Sequence, residues 1–201
     1  LVTEAYRYPS YYGIDYVASG VPEIRGELIN STGRLNTDLE EYRYISEGTA
    51  SRFPRVRLKP GDIIMTVRGT IGKFALVENW LTGAVITANL LKISIEKKKA
   101  SPTWLIEMLL SDEFQHRLEL ACSSTTIATI QVTELVSISV VLPTIDEQQK
   151  ISARILTVKK QLRVERERMR KMQAKKFGLM NDLLTGQVRV TTFTEEGWTD
   201  G

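Results

Sequence analysis

The 201-residue chain has one cysteine and one histidine, and these two shortages remove most catalytic readings. Cys122 alone cannot close an intrachain disulfide, and a lone thiol fits a reducing, cytoplasmic setting. His116 alone cannot build a two-histidine metal site, so no metal centre is expected. The two lie six positions apart around an expected helix end, which is poor geometry for a nucleophile and its base. Both read as structural. No Gly-x-Gly-x-x-Gly loop follows a strand pattern, so no dinucleotide site is expected. Gly69-Thr70-Ile71-Gly72-Lys73-Phe74 shares a few letters with a phosphate-binding loop. Its glycine spacing is wrong, and Phe74 stands where a magnesium-binding hydroxyl belongs. The Asn-Pro-Pro-Tyr motif of amino-methyltransferases is absent. Glu96-Lys97-Lys98 meets a minimal nuclease pattern, but that pattern is common by chance and sits in a charged loop. No apolar run approaches the ~20 residues of a membrane span, and no membrane partner is expected.

What remains is enough for one ordinary core: 42% hydrophobic, 25% charged and 7% aromatic residues. The net charge of +3 hides an asymmetry. Between Lys150 and Lys176 stand eleven Lys and Arg against only Glu165 and Glu167, a local net of +9. The rest of the chain is therefore at −6. A basic arm on a mildly acidic globule points to a polyanion or an acidic protein surface, or else to a plain solvated helix face.

The chain divides near Pro143. Residues 1–142 read as a strand-rich domain with some helix, giving an α+β fold. Ile63-Ile64-Met65-Thr66-Val67 is a β-branched run after the turn signal Lys59-Pro60-Gly61-Asp62. Phe74-Ala75-Leu76-Val77 follows, and Gly69-Thr70-Ile71-Gly72 between them predicts a four-residue hairpin turn. Leu90–Ile95 and Ile138–Leu142 are further strand candidates. Apolar spacing predicts one helix over Thr103–Leu120, started by Ser101-Pro102.

Residues 143–186 predict one long helix. Thr144 and Glu147 form a capping box, and Asp146 and Glu147 suit the positive end of the helix dipole. No Gly or Pro intervenes until Gly178, and Gly186 is a natural C-cap. With heptad position a at Ile155, Leu162, Met169, Lys176 and Leu183, position d falls on Ile151, Val158, Glu165, Met172 and Leu179. Eight of these ten seam positions are apolar, a coiled-coil signal. A rod of roughly 60 Å has too much seam to bury against a small domain, so a second helix is expected; a single helix lying along its own domain is the alternative. Residues 187–201 form a tail, in which Val188–Phe193 is a possible strand.

Arg52, Arg55, Arg57, Lys59, Arg68 and Lys73 fall within 22 residues with Asp62 as the only acid. Such a cluster can neutralise phosphates and release counterions. In the segment from Arg68 to Lys73, Gly69 allows close approach of the backbone and Thr70 adds a hydroxyl. The same string also suits an ordinary hairpin turn. Ser124 and Thr125 sit in a hydroxyl-rich stretch that fits phosphate or a plain loop. Tyr11 and Tyr12, beside Tyr6-Arg7-Tyr8, could stack on bases or pack a domain edge. Arg25, Asn30, Arg34 and Asn89 have side-chain types able to read bases in the major groove.

These pieces resemble the specificity subunits of type I restriction-modification systems. The similarity lies in Tyr8–Gly13, Gly20–Gly26, Pro60–Lys73, Leu142–Ile151 and Gly178–Gly186. Its most specific part is the Leu142-Pro143 entry with Glu147-Gln148 into a long helix that closes on Leu183-Leu184-Thr185-Gly186. The resemblance implies a target-recognition domain that reads one half of a split double-stranded DNA site. It implies a helix that sets the spacing between halves and docks methyltransferase subunits. It also implies that this chain catalyses nothing and binds no cofactor. S-adenosylmethionine would belong to the methyltransferase subunits, and ATP and magnesium to a restriction motor subunit reached indirectly. Full members carry two recognition domains and two helical regions, whereas this chain has one of each. It is then either a half-length subunit that pairs with its own copy, or the C-terminal half of a longer one. A recognition module of a fused restriction-methylation enzyme and a coiled-coil scaffold that binds no DNA are the other readings.

Overall fold

The computed structural model describes residues 1–7, 14–122 and 130–189. It divides into two compact units, Leu1–Ser152 and Ala153–Gly201. The first holds two four-stranded sheets. One has the order β1 (Val2–Arg7), β8 (Leu90–Ile95), β5 (Ile63–Thr66), β6 (Phe74–Leu76), antiparallel throughout. The other has the order β2 (Tyr16–Val17), β4 (Arg43–Ile45), β3 (Val21–Ile24), β7 (Val85–Ile86), with only β3 and β7 parallel. A short helix α1 (Glu47–Ser51) follows β4 and is capped by Ser46, whose hydroxyl accepts from Thr49 N.

Strand β5 explains the layering. All four residues are buried, so the segment reads as continuously apolar rather than alternating. Ile64 packs into a core shared with the second sheet, together with Ile24, Ile45 and Ile86. Ile63 and Met65 point the other way, into a core with Phe74, Trp104, Leu105 and Phe114. The first sheet is therefore a middle layer with apolar side chains on both faces.

The helices on that second core are α2 (Pro102–Leu109), α3 (Asp112–Ala121) and α4 (Val132–Ser137). The single helix expected over Thr103–Leu120 is thus two. Ser111 breaks it: its hydroxyl accepts from Phe114 N at 3.3 Å and donates to Met108 O at 2.7 Å. Asp112 and Glu113 then open α3. The apolar spacing runs through the break because both helices face one core. The expected strand at Ile138–Leu142 pairs with nothing described. Val141 is 87% exposed, and the Ser139 carbonyl is taken by Arg117 Nη1 at 3.0 Å. In the tail, Val188 is in no strand, and the residues from 190 onward lie outside the described ones.

The long helix α5 runs over Ile145–Leu184. Its capping box is present: Glu147 Oε2 accepts from Thr144 N at 2.9 Å and from Thr144 Oγ1 at 2.8 Å. These bonds lower the Glu147 carboxyl below its ordinary range, the backbone bond most. At its other end, Gly186 N donates to Leu183 O. Gln148, on the first turn, is fully buried. Its Oε1 accepts from Ser101 N at 2.8 Å, while Nε2 donates to Lys99 O at 3.0 Å and Pro143 O at 2.8 Å. One amide thereby satisfies a donor before α2 and two carbonyls, and it roots α5 in the first unit.

Two buried acids differ in their surroundings. Asp62 accepts from Lys59 N at 2.8 Å and from Ser94 Oγ at 2.7 Å, so it builds the turn before β5. Glu23 on β3 is 3% exposed and accepts from Tyr16 Oη at 3.3 Å. Burial raises its carboxyl above the usual range, against the opposing pull of the Tyr16 bond and of Arg43 and Arg25.

Both Gln148 and Glu23 can be tested by replacement. Gln148→Glu keeps the shape but turns a donor into an oxygen facing two carbonyls. It should cost about 2–3 kcal/mol in denaturant unfolding at neutral pH. For Glu23, the folded pKa lies above the unfolded one, so the ionised acid opposes folding above that window and the penalty fades as pH falls through it. Glu23→Gln should therefore raise Tm at about pH 8, with the gain shrinking toward acid pH.

Candidate nucleic-acid interface

The expected hairpin is real, but its loop is wider than four residues. Met65 pairs with Phe74, and the ladder closes with Thr66 N donating to Lys73 O at 3.0 Å. Thr66, buried at 4% exposure, holds the loop from inside. Its hydroxyl donates to the Thr70 carbonyl and accepts from Lys73 N at 3.1 Å, and its own carbonyl accepts from Gly72 N at 3.2 Å. The two glycines have separate roles. Gly72 (φ +84) lies against α3, where an added Cβ would stand 2.9 Å from Leu118 Cδ2. Gly69 (φ +77) has nothing within 4 Å of that position. Arg68, Gly69 and Thr70 are all exposed, and Lys73 is half-buried.

This loop leaves the end of the first sheet where β5 stops, β8 starts and β1 stops. Thr66 pairs with Leu90, and Arg7 with Leu91. Val67 N donates to Asn89 O at 2.9 Å, which places exposed Asn89 beside Arg68. Arg7 Nε donates to Ala88 O at 3.1 Å. Burial, and next the like charge of Arg68, lower the Arg7 guanidinium below its ordinary range. Arg7 and exposed Arg68, with Gly69 and Thr70 next to it, give this end of the sheet groups suited to an anion. Sequence alone shows Arg7 only as part of an aromatic segment, because nothing in it pairs position 7 with position 68.

Other expected residues separate. The backbone of Arg25 comes to this end, since Thr87 N donates to Ile24 O at 3.1 Å and a Cβ on Gly26 would lie 3.1 Å from Thr66 Cγ2. Its side chain is held on the second sheet: Nη2 donates to Glu41 O at 2.7 Å, and buried Nε has no partner. Arg34 is exposed at the opposite end of β6, where Gly33 O accepts from Leu76 N at 3.1 Å. Asn30 is structural, its Oδ1 accepting from Thr32 N, Thr32 Oγ1 and Arg34 N. The linear cluster of cations from Arg52 to Lys73 is not one patch. Arg55 pairs with Glu4 at 2.8 Å and lies 4.0 Å over the Tyr6 ring, while Arg57 pairs with Glu47. Arg52 sits at the C-cap of α1. Tyr11, Tyr12, Ser124 and Thr125 lie outside the described residues.

A concavity of about 550 Å³ lies on the second sheet, among Tyr16, Leu39, Tyr42, Arg43 and Tyr44. Burial, then Tyr44, pushes the Tyr42 hydroxyl up to about 12. Arg43 lies 5.9 Å from the Tyr16 ring centroid. Tyr42-Arg43-Tyr44 is the sequence signal for this hollow, and by composition it does not differ from ordinary strand residues. For the nuclease pattern, Glu96 is paired with Lys99 at 2.8 Å. Among the described residues no group of three or more His, Cys, Asp or Glu could hold a metal ion. His116 is exposed on α3, and Cys122 is half-buried at its end.

Helix α5 presents a different surface. The seam of α5 is open along its length, from 39% exposure at Ile151 and Leu183 to 62% at Met169 and Met172. Val158, Leu162 and Leu179 lie between these values, and Ile155 is half-buried. No helix among the described residues is long and apolar enough to cross a membrane.

Residues 15–173 match the family described as type I restriction modification DNA specificity domain. The chain is 24% identical over 155 residues to the specificity subunit of the type I restriction enzyme MjaVIII from Methanocaldococcus jannaschii, covering 75% of this chain and 36% of that one. It is 28% identical over 151 residues to the EcoBI specificity subunit of Escherichia coli, covering 73% and 31%. It thus spans about a third of the length of these relatives. Its fold is similar to the HsdS subunit from Thermoanaerobacter tengcongensis, with TM-score 0.63 at 18% identity over 84% of this chain and 45% of that one. A chain described under complex assembly and conformational transition of the type I R-M system gives TM-score 0.63 at 18% identity, covering 86% of this chain and 39% of that one. With the family matched across most of its length, from before β2 to well along α5, this chain belongs to the type I restriction-modification DNA specificity domain family.

Proposed function

We propose that this chain is a non-catalytic reader of one half of a split DNA site. The end of the first sheet at Arg7, Arg68–Thr70 and Asn89 would lie against the duplex. The observation that carries this reading is the convergence of these residues, far apart in sequence, around a loop braced by Thr66. The cations and the backbone of Gly69 suit phosphates, and Asn89 has the bidentate amide that suits adenine in the major groove. Helix α5 supplies the spacing element: it pairs its open seam with a second helix and docks methyltransferase subunits. That second helix belongs either to another copy or to the rest of a longer subunit. S-adenosylmethionine would be held by the methyltransferase subunits, and ATP and magnesium by a motor subunit. The setting of such a complex is the cytoplasm.

The direct test is a selection from random duplex DNA, with the chain alone and with a methyltransferase subunit of the same system. A motif should emerge; absence of enrichment in both arms would overturn the reading in favour of a scaffold. Replacing Arg68 and Lys73 by Ala should weaken binding across all sequences. It should also flatten the slope of log K against log salt by about 0.9 for each phosphate no longer neutralised. Thr66→Val keeps the volume but frees the loop. It should lower affinity for the selected motif while costing about 1–2 kcal/mol of stability, read in parallel by binding and thermal unfolding.

A further inference from the structure

Charge alone suits Arg7 and Arg68 equally to phosphate, but the two are held differently. Arg68 is exposed on the projecting loop, and among the described residues no hydrogen bond ties its side chain. Arg7 is half-buried on β1, and its Nε donates to the Ala88 carbonyl at 3.1 Å. That bond fixes the guanidinium and leaves its two Nη groups as a fork, which takes no other partner among the described residues. Asn89 is the next residue after Ala88. Its carbonyl accepts from Val67 N at 2.9 Å, it is exposed, and among the described residues its side-chain amide makes no hydrogen bond. We infer, resting on the proposal that this sheet end faces DNA, that Arg7 and Asn89 are its specificity-determining residues: the Arg7 fork reads a guanine and the Asn89 amide an adenine in neighbouring base pairs.

The base assignment follows from donors and acceptors. A guanidinium has only donors, and in the major groove only guanine offers two acceptors side by side, O6 and N7. A carboxamide has one donor face and one acceptor face, which match N7 and the amino group of adenine. The neighbouring positions follow from the backbone. The Arg7 guanidinium is tied to Ala88, and the amide belongs to Asn89. Consecutive Cα atoms stand about 3.8 Å apart and stacked bases about 3.4 Å, so two groups fixed one residue apart address adjacent pairs.

The other side chains of suitable type are engaged or placed elsewhere. Arg25 gives its Nη2 to the Glu41 carbonyl, Asn30 holds its own turn, and Arg34 stands at the opposite end of β6. Arg68 and the backbone at Gly69 remain for phosphate, on the loop that projects furthest from the sheet. A base reader has to be fixed in direction, because the hydrogen bonds of the wrong base are lost only if the side chain cannot follow it. Arg7 has that restraint through Nε, and Asn89 through its short side chain on a backbone held by Val67.

The test uses the duplex enriched from random DNA, in whichever arm of the selection enriches, with and without the methyltransferase subunit. The motif should contain a guanine and an adenine in adjacent pairs. Putting 7-deazaguanine or 7-deazaadenine at these positions removes one major-groove acceptor and leaves every phosphate in place. Each should weaken binding by the parent about threefold or more. Arg7→Met should relax the guanine preference by about tenfold and become indifferent to 7-deazaguanine, while still responding to 7-deazaadenine. Asn89→Ala should show the mirror pattern. Arg7→Met should also leave the slope of log K against log salt unchanged, whereas loss of a phosphate contact would lower it by about 0.9. Thermal unfolding checks that both variants fold, and the response of the parent to the two modified bases decides the matter without them. A parent indifferent to both bases, a motif lacking the adjacent guanine and adenine, or an Arg7→Met chain that keeps its guanine preference and loses salt slope overturns the inference while the DNA-reading proposal stands. No enrichment in either arm removes both.

Discussion

Strand β5 has no solvent face, and the arrangement of the first unit depends on that constraint. Ile64 is required by one core, and Ile63 and Met65 by the other, so a slip of one residue would send each side chain to the wrong core. A strand pinned on both sides ends at a defined place. There Thr66, still buried, turns its hydroxyl to the following loop and fastens both of its arms. The exposed Arg68–Thr70 segment is therefore a projection from the most constrained part of the core. Its neighbours on β1 and at the start of β8 inherit the same precision through the ladder. The result is polar groups open to water on a loop held by hydrogen bonds from one buried side chain.

Gln148 plays the corresponding part for α5. A long amphipathic helix with an open seam could begin anywhere along a polar linker. Here the first turn is tied by three hydrogen bonds from one buried amide, and by the reciprocal bonds of Thr144 and Glu147 just before it. The bonds from Gln148 reach Lys99 and Ser101, so the helix start is coupled to the segment that launches α2. Pro143 and Gln148, within the stretch that carries the family resemblance, are thus structural residues. So is Asp62 in the Pro60–Lys73 stretch, whose carboxylate shapes a turn.

Charge is divided along the same line. Within the first unit several cations are neutralised locally, as with Arg55 on Glu4, Arg57 on Glu47 and Lys92 on Glu4. Arg7 and Arg68 behave differently: they stand close enough for one to disfavour the charge of the other. In α5 the excess of positive charge flanks an apolar seam and is interrupted there only by Glu165 and Lys176. Single positions therefore carry more information than the net charge of either unit.

Much was legible in the residues alone. The Phe74 strand, the Leu90 strand, the capping box at Thr144, the heptad repeat and the close at Gly186 are local patterns. Local patterns are decided by steric and hydrogen-bonding rules that act over a few residues. The single helix over Thr103–Leu120 failed because apolar spacing reports which core a segment faces and is blind to a serine cap in mid-run. The strand at Ile138–Leu142 failed because β-branched composition does not supply a partner edge. The short strands β2, β3, β4 and β7 carry too few residues for any period to show. The sequence determined the α+β character, the long helix with its open apolar seam, and the loop from Arg68 to Lys73 as a place of interest. Only the tertiary structure decided that Arg7 and Asn89 join that loop while Arg34, Arg55 and Arg57 do not. The reason is that strand pairing and hydrogen bonding between distant segments choose which charges become neighbours, and spacing along the chain does not encode that choice.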